Sequence, residues 1–138
     1  MNIKKSICML KLVTMLDQRI NKLRKILLEK NLDGFLVSNF YNILYLTGFQ
    51  TLTENEREAW VLVTKENIYL MTDSRYINSK SEIRNYKIKL ITPEKGLIKH
   101  LAEIVHEEKI QRMGFEGDDL KVNEFQKIKE KLVNIGLV

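Results

Sequence analysis

The segment from residue 33 to residue 49, DGFLVSNFYNILYLTGF, decides the fold that this chain is expected to adopt. Asp33-Gly34 is a turn signal, and the apolar run Phe35-Leu36-Val37 after it is typical of a short buried strand. Ser38 or Asn39 can then cap a short helix, which Gly48 can end in a left-handed conformation. The segment therefore predicts a strand followed by a loop and a helix, and α/β folds usually place function at such loops.

A second segment in an equivalent position follows a predicted hairpin. Residues 59–63 and 68–71 form two apolar runs joined by polar residues, as in a pair of antiparallel strands. The segment Asp73-Ser74-Arg75-Tyr76 comes next and predicts a helix of about two turns that Asp73 caps. Both segments thus lie where a strand or helix gives way to a loop.

The remaining elements alternate between helix and strand. Helical spacing of apolar residues predicts a first helix at about 17–30, with Asn31 as its left-handed stop. Near residues 86–91 a strand carries alternating Lys87 and Lys89, which suggests one solvated face or a sheet edge. Thr92-Pro93-Glu94 predicts the start of the next helix, with a capping hydroxyl and a proline in the first position.

The last quarter of the chain predicts one more strand and one more helix. Residues 112–115 form the strand, and Asp118-Asp119 precede a helix with Val122, Phe125, Ile128 and Leu132 on one side. We therefore expect a single α/β domain at residues 16–138, with a mixed sheet of about five strands and helices on both faces.

Composition agrees with one globular domain. The 138 residues are 44% hydrophobic and 30% charged, which is ordinary for a soluble protein. The one cysteine, Cys8, excludes an internal disulfide and a cysteine-based zinc site, and fits a cytoplasmic protein. We expect residues 1–15 to be an N-terminal extension that is weakly attached to the domain, and no stretch is apolar and long enough for a transmembrane helix.

The net charge of +5 does not predict a nucleic-acid partner. The basic residues are mostly scattered lysines, and the acidic stretches 54–58 and 116–119 interrupt them. A nucleic-acid interface would concentrate its positive charge in one stripe or patch. A solvated basic surface is the simpler interpretation.

No combination of residues predicts an active site or a metal site. His100 and His106 are six residues apart on a helix, so they do not share a face, and we expect both at the surface. Neighbouring carboxylates at Asp118 and Asp119 point apart, and helix capping explains them. We therefore expect no catalytic residue, no metal ligand and no cofactor in this chain.

The two opening segments also have a structural interpretation. Thr47, Gly48 and Phe49 can end the short helix and return the chain to the core. Asp73 can cap the next helix, and Tyr76 can anchor it. On physical grounds alone, packing and capping account for these five residues.

Four motifs in this order resemble the N-terminal domain of the creatinase/prolidase/aminopeptidase P family. They are the segments 33–37, 42–49, 72–76 and 113–116, and the resemblance covers about residues 17–138. It implies a mixed sheet with helices and a ribonuclease-H-like motif. In the family this domain precedes a pita-bread catalytic domain with two metal ions, commonly manganese, and we expect that domain to lie outside this sequence.

The resemblance implies a non-catalytic role beside an active site of Xaa-Pro dipeptidase or aminopeptidase P type. Such a domain contributes oligomer contacts and the rim of a neighbouring subunit's active site, for which Asn42, Tyr45 and Arg75 are the candidates. At the position of Asn42 some aminopeptidases P carry an acid that faces that site. An asparagine at this position can still form a hydrogen bond to a substrate, but its neutral side chain cannot attract the substrate by charge. The residues from Gln50 to Glu58 suggest a mobile loop at the same opening, whereas Trp60 is expected in the core.

The expected partners are the protein's own C-terminal catalytic domain, a second subunit and short proline-containing peptides, with neither nucleic acid nor membrane. A free-standing module that binds a peptide or a protein with the same fold is the alternative. A nucleic-acid binder, the third possibility, rests only on the net charge.

Overall fold

A mixed β-sheet organises the chain in the computed structural model, which describes residues 2–79 and 86–138. Within these ranges the sheet has six strands in the order β4-β3-β2-β1-β5-β6. The pairs β1–β2 and β2–β3 are antiparallel, and the other three pairs are parallel. The elements in chain order are α1 (Ile3–Glu29), β1 (Gly34–Val37), α2 (Phe40–Thr47), β2 (Ala59–Thr64), β3 (Ile68–Thr72), a 3₁₀ helix (Ser74–Ser79), β4 (Lys87–Leu90), α3 (Leu97–Glu107), β5 (Arg112–Phe115), α4 (Val122–Lys131) and β6 (Gly136–Leu137).

Helices cover both faces of the sheet, as the sequence predicts. Because side chains alternate along a strand, β2 sends Val61 and Val63 to one face and Leu62 to the other. The first face packs against α1 and α2, and the second packs against α3 and α4. All six residues of β2 are buried for this reason, so β2 is a continuous apolar run rather than an alternating one.

Helix α1 is longer than predicted. It begins at Ile3, where the Asn2 side chain accepts the backbone N–H of Lys4, and not at about residue 17. Leu16 is its first fully buried residue, so residues before it project beyond the core. Its end agrees with the prediction, since Asn31 has a φ of 55°. No helix in the described part of the chain is long and apolar enough to cross a membrane.

Helix α2 has the caps that the sequence predicts. The Asn39 side chain accepts the backbone N–H groups of Tyr41 and Asn42, so Asn39, not Ser38, is the N-cap. Gly48 follows the last turn with a φ of 73° and donates its N–H to the Leu44 carbonyl. This left-handed residue turns the chain back towards the core.

Strand β6 and the start of α3 differ from the prediction. Strand β6, which was not predicted, pairs with β5 through Gly136 and Leu137. Thr92-Pro93-Glu94 does not start a helix, because Thr92 and Lys95 close a turn on each other and α3 begins only at Leu97. The strand with Lys87 is the outermost strand on its side of the sheet, which is one of the two arrangements that its alternating lysines suggest.

Gly114 in β5 allows two strands and a helix end to approach closely. A Cβ atom at this position would lie 2.6 Å from the Phe35 ring and 3.1 Å from Leu32. Contacts below about 3 Å are not tolerated, so a side chain at 114 would force the Phe35 ring to move. Glycine at 114 is therefore a packing requirement of the sheet.

Replacing Gly48 by alanine should destabilise the protein by about 1 kcal/mol, because a left-handed backbone is strained for residues with a Cβ. Gly117→Ala is the matched control, since a Cβ at 117 would meet no atom within 4 Å and the φ of Gly117 is not in the left-handed region. Urea denaturation of both variants measures the difference. Equal loss of stability in the two variants would contradict the role assigned to Gly48.

Candidate functional site

The candidate site lies at the carboxyl ends of the central strands β1 and β5. These strands are parallel neighbours, and Leu36 pairs with Phe115 near their carboxyl ends. The segments that leave them, residues 38–42 and 116–121, therefore meet at one edge. Their polar side chains form a network that also includes Arg57.

Glu116 holds the turn between β1 and α2. Its Oε2 accepts the backbone N–H groups of Ser38 and Asn39 at 2.8 and 2.7 Å. Its Oε1 accepts the side-chain amide of Asn42. One carboxylate thus satisfies two backbone donors that the end of a strand leaves unpaired, and it fixes the direction of the Asn42 side chain.

Asp119 makes a second connection across the same edge. It accepts the Ser38 hydroxyl at 2.7 Å and the Asn39 side-chain amide at 3.1 Å. Burial raises its pKa, but hydrogen bonds from Ser38, Arg57 and Asn39 outweigh burial and leave the pKa below its usual value.

The prediction that Asp118-Asp119 cap the last helix is wrong, because Lys121 is the N-cap residue of α4.

Arg57 joins these groups to α4 and β2. Its guanidinium pairs with Asp119 and with Glu124, whose side chains are both about three-quarters buried. It also donates to the Ser38 and Asp119 carbonyls and lies 4.9 Å from the centre of the Trp60 ring. A planar group with five donors can make all these bonds at once. Trp60 itself is buried in the core, as predicted.

A separate cluster surrounds the buried carboxylate of Glu58. Tyr76 donates its hydroxyl to Glu58 at 2.7 Å, and Arg75 forms an ion pair with Glu58 at 3.0 Å. Arg75 also binds Asp73, which accepts the Arg75 backbone N–H at the start of the 3₁₀ helix. The Tyr76 hydrogen bond, despite the opposing effect of burial, holds the pKa of Glu58 below its usual value.

The two segments singled out in the sequence meet at this cluster. The rings of Phe49 and Tyr76 pack edge to face with centres 5.7 Å apart. Thr47 is fully buried, donates to the Ile43 carbonyl and accepts the Phe49 N–H. Together with Gly48, these residues fix the path of the chain from α2 to the loop that carries Glu58.

The three predicted rim residues lie at different places. Asn42 is exposed and binds Glu116, as described above. Tyr45 is 53% exposed, and the Arg19 guanidinium stacks 4.1 Å from its ring centre while donating to its carbonyl. Arg75 has a half-exposed side chain held by Glu58 and Asp73. The structure therefore places Asn42 and Tyr45 on the same helix, α2, whereas Arg75 belongs to the separate Glu58 cluster.

A cavity of about 380 Å³ lies between the Arg57 network and the Glu58 cluster. Ser38, Asn39 and residues 54–58 are among the residues that line it. Tyr41, which also lines the cavity, donates its hydroxyl to Glu54. The acids of the predicted loop thus face a defined space beside the site.

His100 is buried, which corrects the prediction of a surface residue. Its Nε2 lies 2.7 Å from the Leu90 carbonyl, so the ring ties α3 to the end of β4. His106 is exposed, as expected. Across residues 2–79 and 86–138, no group of three His, Cys, Asp or Glu side chains could hold a metal ion.

Sequence reasoning identified neither Arg57 nor the roles of Glu58 and Asp119. Arg57 and Asp119 are 62 positions apart, and no short motif contains both. The only available signal was the position of residues 116–119 directly after a predicted strand, the place where polar side chains from neighbouring strands converge.

The family model of the creatinase/prolidase N-terminal domain matches residues 19–138. Among curated proteins, a Mycoplasma pneumoniae protein named as a candidate Xaa-Pro aminopeptidase is 30% identical over 117 residues. That alignment covers 83% of this chain but only 30% of the relative, so the chain spans less than a third of that protein.

Two solved structures have the same architecture. An Xaa-Pro aminopeptidase from Streptococcus pyogenes is 30% identical, with a TM-score of 0.77 and 91% coverage of each chain. An Xaa-Pro dipeptidase from Bacillus anthracis is 27% identical, with a TM-score of 0.76; the match covers 89% of this chain and 33% of that one. These neighbours bear out the predicted α/β fold and the resemblance.

Arg57→Gln should destabilise the protein by about 2 kcal/mol, because it leaves two mostly buried carboxylates without their cation. Arg112→Gln is the matched control, since Arg112 is exposed. Guanidinium denaturation at pH 7 compares the two variants. Wild-type stability in the Arg57 variant would show that the network contributes little to the fold.

The Arg57 network should also make stability depend on pH. Hydrogen bonds from Arg57 help to lower the pKa of Asp119 and of Glu124 in the folded state, against the effect of burial. Stability from these acids is therefore fully present above about pH 5 and is lost as the pH falls through their lowered pKa values. Unfolding free energies measured from pH 7 to pH 3 should fall more steeply in the wild type than in Arg57→Gln. Parallel curves would contradict this assignment.

Proposed function

The chain belongs to the creatinase/prolidase N-terminal domain family, and on this basis we propose that it is the non-catalytic N-terminal domain of a metal-dependent Xaa-Pro peptidase. The parent protein would be of the proline dipeptidase or aminopeptidase P type. The observation that carries the proposal is the coverage of the relatives: the match spans almost all of this chain but a third of the Bacillus anthracis dipeptidase. The remaining two thirds of such a protein have room for a catalytic domain.

The metal pair of the proposed enzyme, expected to be manganese, belongs to that further domain. The residues described here support a structural and binding contribution instead of a catalytic one. Their carboxylates are engaged with Arg57, Arg75 and backbone N–H groups, and these contacts stabilise one edge of the sheet. We therefore assign this domain to binding and assembly, and its exposed cysteine fits a cytoplasmic protein.

We place the rim of a neighbouring active site on α2 and the start of the 3₁₀ helix, which carry Asn42, Tyr45 and Arg75. Asn42 presents an amide whose direction is fixed by Glu116, and such preorganisation lowers the entropic cost of binding a peptide. An acid at this position would face the Glu116 carboxylate, whereas asparagine can donate to it. Asn42 thus suits a hydrogen bond to a peptide backbone better than charge capture. Arg75, held by two acids, is the candidate for a peptide carboxylate or carbonyl.

The same surface supports the proposed contact with a second subunit. Tyr41 and Tyr45 lie one turn apart on α2 and are 60% and 53% exposed, and Leu52 in the following loop is 80% exposed. Aromatic residues with a polar end are common at protein interfaces. Tyr45 belongs to both this surface and the proposed rim, so one docking event would bring the rim to the partner's active site.

A free-standing peptide- or protein-binding module remains the second candidate. The cavity of about 380 Å³ favours it, because a domain with its own cavity can bind a ligand without a catalytic partner. The reading frame beyond residue 138 separates the two proposals. Continuation for roughly 200 residues with spaced aspartate, histidine and glutamate residues supports the peptidase, and a stop codon supports the module.

In the protein expressed from the whole reading frame, Asn42→Ala should raise the KM for proline-containing peptides roughly tenfold and leave kcat unchanged. The reason is that a rim residue binds substrate and transition state equally. Asn21→Ala, at an exposed position of α1, is the matched control. Manganese-dependent hydrolysis of an Ala-Pro dipeptide and an Ala-Pro-Ala tripeptide is the assay.

The outcome of this experiment is decisive for the rim assignment. Unchanged KM, or an equal effect of the Asn21 variant, would contradict the role of Asn42. Absence of manganese-dependent hydrolysis in the intact wild-type protein would contradict the proposed enzyme itself.

A further inference from the structure

The positive charge of the chain is concentrated on helix α1. This helix holds seven basic and two acidic residues, a formal charge of +5. The whole chain, with 23 basic and 18 acidic residues, also carries +5, so the rest of it has 16 residues of each sign. The two acids of α1, Asp17 and Glu29, both come after Leu16, so lysine is the only charged residue type in the part that projects beyond the core.

Several of these lysines lie on one side of α1. They are exposed, follow one another after about two, three and one helical turns, and are Lys4, Lys11, Lys22 and Lys25. The opposite side buries Leu16, Ile20 and Leu27 in the core. Within residues 2–79 and 86–138, none of these lysines forms an ion pair with an acid. Because α1 runs unbroken from Ile3, charge that looks scattered along the sequence forms one surface.

An aliphatic stripe runs beside two of the lysines. Ile3, Ile7 and Leu10 have the i, i+4, i+7 spacing of one helix face, and they are 76%, 48% and 67% exposed. Lys4 and Lys11 each follow a residue of this stripe by one position, which places them about 100° further around the helix. The first half of α1 thus presents aliphatic side chains that are bordered by lysines.

We propose that this side of α1 binds the surface of a membrane that contains anionic lipids. Helices at a membrane surface bury apolar side chains at the boundary between headgroups and acyl chains, and lysines beside them reach the headgroup phosphates. Ile3, Ile7 and Leu10 supply the first contact, and the lysines supply the second. Such a helix lies on a membrane without spanning it, so it does not need the long apolar stretch that the sequence lacks.

The chemistry of this surface fits other occupants less well. Two copies of α1 would bring lysine towards lysine, since no acid lies between residues 2 and 16 to pair with them. Protein interfaces are generally depleted in lysine. Nucleic-acid surfaces place aromatic or arginine side chains among their lysines, not aliphatic ones. Anionic lipid complements both the charge and the aliphatic stripe.

Co-sedimentation with lipid vesicles tests the proposal on the protein expressed from the whole reading frame. We expect binding to phosphatidylcholine vesicles that contain about 30% phosphatidylglycerol, and binding at least about tenfold weaker to pure phosphatidylcholine. Equal binding to both vesicles, or none to the anionic ones, would overturn the proposal. Tighter binding to a DNA duplex than to anionic vesicles would also overturn it. Peptidase activity is measured separately, so failure here leaves the proposed function intact, and the reverse also holds.

The double variant Lys4→Gln/Lys11→Gln tests the charge. It should weaken binding to the anionic vesicles at least about tenfold, because each lysine near such a surface contributes to the attraction. Lys127→Gln/Lys131→Gln is the control, since it removes the same charge at two exposed positions of α4. An equal effect of the two variants would show that only the net charge matters and would overturn the assignment to α1.

The double variant Ile3→Ser/Leu10→Ser tests the aliphatic stripe. It should also weaken binding at least about tenfold, because two side chains no longer leave water for the membrane. Val122→Ser/Val133→Ser is the control, since these valines are exposed to a similar extent, at 69% and 75%. Unchanged binding of the Ile3/Leu10 variant, or equal weakening by the control, would contradict insertion of the stripe.

Discussion

The guanidinium of Arg57 is the interaction on which the candidate site depends. It bonds to the end of β1, to the segment after β5 and to the first turn of α4, and it lies over the Trp60 ring of β2. Without it, Asp119 and Glu124 would be mostly buried carboxylates without a cation, and only their bonds from Ser38, Asn39 and the Lys121 N–H would remain. Because Arg57 contacts all four elements, it fixes the end of the loop before β2. It also holds Ser38 and Asp119, which line the cavity, in place.

Glu58 extends this arrangement to the other side of the cavity. It follows Arg57 directly in the chain, yet it turns into the protein and binds Tyr76 and Arg75. Adjacent residues of opposite charge thus anchor the loop to two different parts of the domain. The acids before them, Glu54 and Glu56, are left at the surface of a loop whose base is rigid. A site of this kind combines fixed geometry with side chains that can still adapt to a ligand.

The local features of the fold were accessible from sequence, and the long-range ones were not. Asn39, Gly48 and Asn31 act within four residues of their own positions, so the caps that they form could be predicted. The pairing of Arg57 with Asp119 depends on how β1, β2 and β5 are ordered, and no local pattern contains that order. Charged residues also misled the sequence analysis. Asp119 bonds to Ser38, Asn39 and Arg57 and does not cap α4, and His100 is buried against the Leu90 carbonyl, because packing between distant elements decides both positions.

Gly114 has a consequence for identifying distant relatives of this domain. The residue is required by the close approach of Phe35 and Leu32 and not by any chemistry at the sheet edge. A relative with a larger residue here would therefore need smaller side chains at the positions of Phe35 and Leu32, whatever it binds. The combination of an arginine at 57 with acids at 116 and 119 carries different information, since it specifies how the edge of the sheet is held together. A relative with other residues at these three positions must therefore hold this part of the sheet together by different contacts.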